Sequence, residues 1–308
     1  MMTTGPILVT GAGGFVCSEV ALALHRAGRE VVAVDRTFDA ATSGRLNGIH
    51  MIEGELAEVL GTLGPCASVV HGAAITASPE RLGITRAAHI RRNMDLLTAT
   101  LEFAQSAGAS RFLFVSSMGV FESDDTPTPN GCVTEVTRPT ADCTYCAAKH
   151  AGELLTASTA TTGFETLSLR LGNIFGPHEA VRESRQHLCL VARMVAEARD
   201  SGIITVQTPE AHREWAWLPD LADAIVRVME DPWEQSVLHA GSPPVMGDLD
   251  LAREVVNRVP RTTIRLASPP HAAIRPPMAS GFQTALTQTQ WTAMGAALDQ
   301  LIPLAAMP

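Results

Sequence analysis

The sequence predicts an α/β fold, in which a doubly wound parallel sheet carries helices on both faces. Five short apolar runs alternate with longer segments of helical spacing. These runs cover residues 7–9, 31–34, 50–52, 68–71 and 111–116. The first run meets a glycine turn at Gly11, Gly13 and Gly14, and a helix-compatible stretch follows over residues 18–27. Strand, glycine turn and helix form the entry to a dinucleotide-binding βαβ unit, because glycines let the backbone approach a pyrophosphate at the helix N-terminus.

The composition limits the classes of protein to which this chain can belong. The 308 residues allow one large domain or two packed ones, and a content of 46% hydrophobic and 18% charged residues suits a globular protein with a sizeable core. A net charge of -9 argues against nucleic acid or a membrane surface as a partner. The first ten residues lack a basic leader pattern, so we expect a cytoplasmic protein.

The six cysteines are scattered without the spacing of a disulfide framework, which is typical of reduced thiols. Cys143 and Cys146 form a C-x-x-C motif, which raises a redox or a zinc interpretation. No second pair at zinc-ribbon spacing accompanies them, so we treat the motif as incidental. The histidines show no metal-binding helix pattern, and no metal site is expected.

Asp35 ends the second apolar run, 21 residues after Gly14. An acidic residue at this place accepts hydrogen bonds from the adenosine ribose and repels a 2′-phosphate, so Asp35 favours NAD. Arg36 is the counter-argument, because an arginine at this edge can hold the extra phosphate of NADP. A turn or helix N-cap is the alternative role of Asp35.

Other residues near the predicted strand ends complete the expected cofactor site. Glu55 could accept from the adenine amino group, or it could be a solvated acid. Asn93 lies inside a predicted helix over residues 84–107 and could brace the site from behind. Cys17 stands where the glycine turn usually has a third small residue, so the first helix is expected to lie slightly further from its strand. The remaining cofactor candidates are Phe15, Val16, Leu56, Ala73, Ala74 and Ser116.

Tyr145 and Lys149 form the pattern in this sequence that indicates a catalytic function most specifically. They open a predicted helix over residues 145–160, and positions i and i+4 share one helix face. A lysine ammonium near a phenol favours the phenolate, which makes the pair usable as a general acid and base. An amphipathic helix with a buried tyrosine and a solvated lysine is the alternative. Ser116 and Ser117 end the fifth run, where ligands of open α/β sheets bind.

Six motifs together resemble the extended branch of the short-chain dehydrogenase/reductase superfamily, the NAD-dependent epimerase/dehydratase family. In chain order between residues 9 and 225 they are VTGAGGFVCS, VVHGAA, FVSSMGVF, YCAAK, LRLGNIFGP and REWAWLPDLADAI. The resemblance implies a Rossmann-type sheet for NAD(P) over residues 1–172, completed by later segments at about 203–240. It implies a smaller C-terminal substrate-binding lobe over residues 173–308.

The resemblance also implies roles for individual residues. Tyr145 is similar to the catalytic base and acid, Lys149 to the lysine that holds the nicotinamide ribose, and Ser117 to the residue that hydrogen-bonds the reacting oxygen. The mechanism is then hydride transfer between NAD and a secondary alcohol. The implied substrate contacts are Ser117, Met118, Asn173, His187, Arg213 and Arg275.

This chain departs from the family pattern at three places. Met118 and Gly119 stand where sugar dehydratases have an acidic pair, so dehydration is not expected. His187 and Leu188 replace the usual Asn-Leu on the diphosphate, and the segment 208–212 lacks its usual glycines. These changes favour a small sugar or sugar acid over a nucleotide sugar.

We therefore expect an NAD-dependent oxidoreductase that acts on a sugar-like alcohol. A nucleotide-sugar 4-epimerase with retained NAD and a non-enzymatic NAD(P)-binding regulator are the alternatives. A serine hydrolase is not expected, because no serine lies between the glycines of the first turn. The resemblance further implies a homodimer through the helices at 84–107 and 145–160.

Overall fold

The computed structural model describes residues 5–121, 131–141, 143–181, 188–269 and 275–304. The strands of this part are β1 (Ile7–Thr10), β2 (Val31–Asp35), β3 (His50–Glu53), β4 (Ser68–His71), β5 (Arg111–Ser117), β6 (Glu165–Leu171), β7 (Asn173–Phe175), β8 (Ile203–Val206), β9 (His212–Trp217), β10 (Val237–His239), β11 (Val245–Gly247) and β12 (Thr263–Leu266). The helices are α1 (Phe15–Arg26), α2 (Ala40–Arg45), α3 (Leu56–Leu60), α4 (Pro79–Leu82), α5 (Arg86–Ser106), α6 (Thr144–Ser158), α7 (Leu190–Asp200), α8 (Leu218–Val228), α9 (Asp248–Val256) and α10 (Met294–Leu304).

A seven-stranded parallel sheet forms the centre, in the order β10-β6-β5-β4-β1-β2-β3. The predicted doubly wound α/β fold is confirmed, and all five predicted apolar runs are strands of this sheet. The chain leaves β1 toward β2 on one side and later returns to β4 on the other, so β1 marks the point where the strand order reverses. Ligands of open α/β sheets bind in the crevice at such a point.

Side chains of β1 alternate between two cores, as a buried parallel strand requires. Val9 belongs to the cluster that includes α1 and α8, whereas Leu8 belongs to the cluster that includes α3 and α5. Helix α1 packs on α8, and α5 packs on α6. The predicted helices over 84–107 and 145–160 correspond to α5 and α6. No helix of the described residues is long and apolar enough to cross a membrane.

After Leu171 the chain forms two small sheets, with the strand orders β11-β9-β7 and β12-β8. Their strands β7, β8 and β9 come before β10 of the large sheet in the chain, and β11 and β12 come after it. These strands pack with α7, α9 and α10 around a separate apolar cluster. Its aromatic members include Phe175 and Trp217, whose ring centroids lie 5.2 Å apart. The sequence pattern did not predict these short strands.

Cys17 packs directly over Gly72, the first residue after β4. A Cβ atom added to Gly72 would lie 2.1 Å from Cys17 Sγ and 3.3 Å from the Thr10 carbonyl oxygen. The missing side chain at residue 72 therefore provides the space that the larger side chain at residue 17 needs. The pairing of Cys17 with the glycine of the VVHGAA motif is not visible in the sequence, because 55 positions separate the two residues.

We expect Gly72→Ala to lower the free energy of unfolding by about 1–3 kcal/mol, because the added methyl group overpacks the contact with Cys17. Chemical denaturation of both proteins measures the difference. In a Cys17→Gly background the same change should cost much less, because the sulfur is gone. Equal costs in both backgrounds would show that the two positions are not coupled.

Candidate active site and cofactor cleft

The glycine turn approaches its neighbours so closely that side chains are excluded. Gly11 has a φ of 71°, and a Cβ atom there would lie 2.7 Å from the backbone nitrogen of Ala73. A Cβ atom on Gly13 would lie 2.5 Å from the Thr37 carbonyl oxygen. Gly14 is the N-cap of α1, and no side chain caps the first turn. The positive end of α1 therefore faces the crevice without a competing acid, which suits a pyrophosphate.

Asp35 supports this turn from the end of β2. One carboxylate oxygen accepts from the Gly13 amide at 2.8 Å, and the other accepts from the Arg36 amide at 2.6 Å. The N-cap of α2 is Asp39, so capping is not the role of Asp35. The carboxylate lies where the ribose hydroxyls of a dinucleotide would be expected. Arg36 is exposed beside it.

The other predicted cofactor residues lie around the same strand ends. Glu55 is exposed at the N-cap position of α3, and Leu56 behind it is buried. The buried Asn93 accepts from the Ile75 amide at 2.9 Å and donates to the carbonyl oxygens of Ile75 and His89. Asn93 thus ties α5 to the loop after β4, as a brace would.

Tyr145 and Lys149 share one face of α6, above the end of β5. The Lys149 ammonium is buried, donates to the Val115 carbonyl oxygen at 2.6 Å and lies 5.7 Å from the centroid of the Tyr145 ring. Burial lowers the pKa of Lys149 to about 8, against the opposing effect of Cys17 and Glu153. The amphipathic alternative is therefore wrong for Lys149, which is not solvated.

The two serines of β5 have different partners. Ser116 is buried and donates to Glu153 at 2.6 Å, and Glu153 also forms a bidentate pair with Arg170 at 2.8 Å. Ser117 is half-buried, and its hydroxyl accepts the Gly119 amide at 3.0 Å. The Glu153–Arg170 pair was missed by sequence analysis, because a helix glutamate and a strand arginine far apart in the chain carry no joint signal.

A small cavity joins five of the predicted site residues. Its lining includes Ala73, Ala74, Asn93, Tyr145 and Lys149. These residues come from the loop after β4, from α5 and from α6, so the fold brings three distant parts of the sequence to one place. A phenol and a buried ammonium beside small residues can hold a planar ring and move a proton.

His71 also lines this cavity, at the end of β4. Its Nδ1 atom is 2.9 Å from the Thr10 hydroxyl, and burial lowers the pKa of His71 from 6.5 to about 3. The unfolded chain therefore binds more protons than the folded one between these values, and stability is lost as the pH falls below 6.5.

We expect the free energy of unfolding to fall by about 2 kcal/mol between pH 7 and pH 5 because of His71, which is protonated in the unfolded chain at pH 5 but stays neutral in the folded one. Urea unfolding of the wild type and of His71→Gln at pH 7 and pH 5 measures this loss. The variant should show a shallower dependence on pH. Some dependence should remain, because burial also lowers the pKa of His239 to about 4. An unchanged slope would contradict the assignment to His71.

The substrate-contact candidates lie beyond the sheet. Asn173 at the start of β7 donates its backbone and side-chain amides to one oxygen of Glu214, at 3.2 and 3.3 Å. Glu214 is fully buried and accepts from the Met278 amide at 3.1 Å, and burial raises its pKa. Met118 is buried in a small apolar cluster with Met278.

The two candidate arginines differ in their partners. Arg213 forms a bidentate pair with the buried Asp248, at 2.8 and 3.1 Å. The Nε atom of Arg275 is buried and has no hydrogen-bond partner among the described residues. A buried guanidinium N–H without a partner is uncommon, and an anionic ligand is one group that can satisfy it. His187 lies outside the described residues.

Cys143 and Cys146 form a disulfide, so the expectation of reduced thiols is wrong for this pair. Cys143 is the N-cap of α6 and Cys146 lies in its first turn, which sets their Cα atoms 5.0 Å apart. A distance of this size permits a disulfide. The other four cysteines, all within the described residues, form no disulfide.

The fold and the cleft define a dinucleotide-binding α/β protein with a tyrosine–lysine pair at the sheet's carboxyl edge. The family model described as "NAD dependent epimerase/dehydratase family" matches residues 7–241. The chain belongs to this family. It is an NAD-dependent enzyme of the extended short-chain type, and the glycine turn, the uncapped α1 and Asp35 fit this cofactor.

Known relatives extend the likeness over nearly the whole chain. A UDP-glucose 4-epimerase of Streptomyces lividans is 28% identical over 279 residues, which cover 84% of this chain and 82% of that protein. A solved UDP-glucose 4-epimerase of Thermotoga maritima with UDP-glucose has a TM-score of 0.80 at 19% identity, covering 97% of this chain and 98% of its own. TunA, an NAD-dependent NDP-hexosamine 5,6-dehydratase of tunicamycin biosynthesis, has a TM-score of 0.79 at 20% identity, covering 98% of both chains. Structural likeness at these identities shows the shared fold.

Proposed function

We propose that this enzyme oxidises a secondary alcohol of a sugar carried on a nucleoside diphosphate and returns the hydride to the opposite face, as a 4-epimerase does. The observation that carries the nucleotide-sugar assignment is the buried Nε atom of Arg275, which has no hydrogen-bond partner in the part of the chain that the structure describes. A substrate diphosphate would satisfy it with a charge-assisted hydrogen bond. The epimerase that shares 28% identity with this chain supports the same choice.

Three side chains perform the proton chemistry in this proposal. Tyr145 takes the proton of the reacting hydroxyl as its general base. The buried Lys149 ammonium lies close enough to the Tyr145 ring to favour the phenolate. Ser117 accepts the Gly119 amide, so its own hydroxyl proton can be donated to the substrate oxygen as charge develops there.

The cleft from the glycine turn to α6 would hold the cofactor. Gly11, Gly13 and the N-terminus of α1 would hold the pyrophosphate, and Asp35 would accept from the adenosine ribose. The small residues after β4 would let the dinucleotide lie against the backbone, and Lys149 would hold the nicotinamide ribose. Bound NAD supplies a hydride acceptor at the carbon that is oxidised.

Met118 and Gly119 lie beside Ser117 and carry no acid, which disfavours dehydration. Asn173 and Arg213 are the substrate-lobe contacts of this proposal, with Asn173 held in place by Glu214.

The division into residues 1–172 and 173–308, the homodimer through α5 and α6, and a cytoplasmic location stay predictions. Size-exclusion chromatography with light scattering tests the dimer, and cell fractionation tests the location.

A net dehydrogenase of a small sugar or sugar acid is the second candidate. It is favoured by the pairing of Arg213 with Asp248, which neutralises a charge that a diphosphate would use. Purified protein with NAD and two substrate panels distinguishes the candidates. Conversion of a nucleotide sugar to its epimer without net NADH supports the proposal. Stoichiometric NADH from a free sugar or sugar acid would overturn it in favour of the second candidate.

We expect Asp35→Ala to relax the preference for NAD over NADP, because the substitution removes the carboxylate that repels a 2′-phosphate beside Arg36. Dissociation constants for both dinucleotides measure the ratio. Asp39→Ala, which removes the cap of α2 on the same side of the sheet, should leave this ratio unchanged. A wild type that already prefers NADP would mean that Arg36 dominates the site.

A further inference from the structure

The C-x-x-C pair brackets Tyr145 at the start of α6. Cys143 is exposed at the N-cap, Cys146 is buried in the first turn, and Thr144 and Tyr145 lie between them. Oxidation therefore closes a small covalent ring that contains the backbone of Tyr145. The proposed function makes no use of these sulfur atoms.

Cys146 also contacts the other side of the site. A Cβ atom added to Gly119 would lie 3.4 Å from Cys146 Sγ and 3.3 Å from Ser117 Oγ. The buried sulfur thus packs on the 3₁₀ turn Met118–Val120, which Ser117 caps. The chain that enters α6 is anchored to the same turn, because the Ala141 amide donates to the Val120 carbonyl oxygen at 2.9 Å. Formation or cleavage of the bond between these two sulfur atoms therefore affects the surroundings of both Tyr145 and Ser117.

The surroundings of Cys143 suit an attacking thiolate. The Cys146 amide is directed at Cys143 Sγ at 3.2 Å, and the positive end of α6 favours negative charge there. Cys143 is exposed to a reagent, and Cys146 is placed behind it to resolve a mixed disulfide. Disulfides that form in reducing compartments are commonly transient and redox-sensing.

We propose that Cys143 and Cys146 form a reversible thiol–disulfide modification site that controls Tyr145, with the disulfide as the active form. The Cys143 thiolate attacks one sulfur of a small-molecule disulfide of the glutathione class, and one thiol leaves. The Cys146 thiolate then attacks Cys143 Sγ, and the second thiol leaves. The pair loses two electrons, the small disulfide gains them, and the two protons end on the released thiols.

Reduction acts on Tyr145 through charge and position. The N-terminus of α6 favours the thiolate of a reduced Cys143, and negative charge there, two residues from Tyr145, opposes formation of the phenolate. The separated sulfur atoms need more room than a bonded pair, so Cys146 presses on the turn that holds Ser117. Both effects lower turnover.

The test uses the full chain equilibrated in buffers of oxidised and reduced glutathione. Alkylation after unfolding should label four cysteines in the oxidised form and six in the reduced form. Tyr145 is the only tyrosine of the chain, so near-ultraviolet phenolate absorbance at one alkaline pH reports on it without substrate. We expect reduction to lower this absorbance and to lower turnover about tenfold, the factor for one unit of change in phenol ionisation.

Three cysteine variants show which thiols cause the response to glutathione. Cys143→Ser keeps a good N-cap and loses the disulfide, so its absorbance and turnover should not respond to glutathione. Cys146→Ala should be equally unresponsive, which covers a failure of the first variant to fold. Cys132→Ser removes a half-exposed thiol outside the pair and should keep the full response.

The outcomes separate this inference from the proposed function, on which its turnover measurement rests. A disulfide that never forms in glutathione buffers would overturn the inference, and so would equal absorbance and turnover in both redox states. A redox-dependent absorbance in a protein that converts neither substrate panel would support the modification site and refute the proposed function.

Discussion

Replacing Tyr145 with Phe is expected to lower kcat by about 10²–10⁴-fold, the range that a positioned general acid and base contributes. The variant lacks only the hydroxyl group, so the ring keeps its place beside Lys149. The pyrophosphate and the adenosine ribose are assigned to the glycine turn and Asp35, which this substitution leaves unchanged, so the dissociation constant of NAD should change little. Steady-state kinetics with the substrate found in the panels and calorimetric titration with NAD measure the two quantities.

Leu154→Ala is a matched control on the same helix, because this side chain is exposed on α6. It should leave both kcat and NAD binding near the wild-type values. Near-normal turnover of Tyr145→Phe would remove Tyr145 from the mechanism, whereas a loss of NAD binding would show that the phenol supports the cleft.

Replacing Arg170 with Met is expected to cost about 3–5 kcal/mol of stability, because it leaves the Glu153 carboxylate buried without its partner. The pair is almost fully enclosed, with side-chain exposures of 4% and 3%. Denaturation with urea measures the loss. The Ser116 hydroxyl, which donates to Glu153, cannot replace a bidentate guanidinium.

The double variant Arg170→Met with Glu153→Gln supplies the control. It removes the charge together with its partner, so it should recover much of the lost stability. A double variant as unstable as the single one would show that packing around Arg170, rather than the uncompensated charge of Glu153, causes the loss.

Local sequence was sufficient to predict those parts of the site whose residues lie close together in the chain. The glycine turn follows its strand directly, and Asp35 ends the next strand. Tyr145 and Lys149 are one helical turn apart, so periodicity alone puts them on one face. The apolar runs of the central sheet were equally visible, because strands buried on both faces leave a continuous hydrophobic signal.

Pairing between distant residues was not visible in the sequence. The position of Ser116 and Ser117 at a strand end did not separate them, and only the family resemblance singled out Ser117; the fold then showed that Ser116 donates to Glu153 and that Ser117 accepts the Gly119 amide. The short strands β7, β9 and β11 were missed, because they lie outside the central sheet and lack the continuous apolar runs that mark its strands.

The sequence by itself determined the fold class, the family and the tyrosine–lysine pair, since each depends on short runs or motifs that can be recognised locally, one after another along the chain. Only the tertiary structure decided that Gly72 makes room for Cys17, that Asp248 holds Arg213 and that a buried nitrogen of Arg275 has no partner among the described residues. The physical reason is that packing and hydrogen bonding act over a few ångströms in space. Residues at that distance in the fold are separated here by tens of positions in the chain.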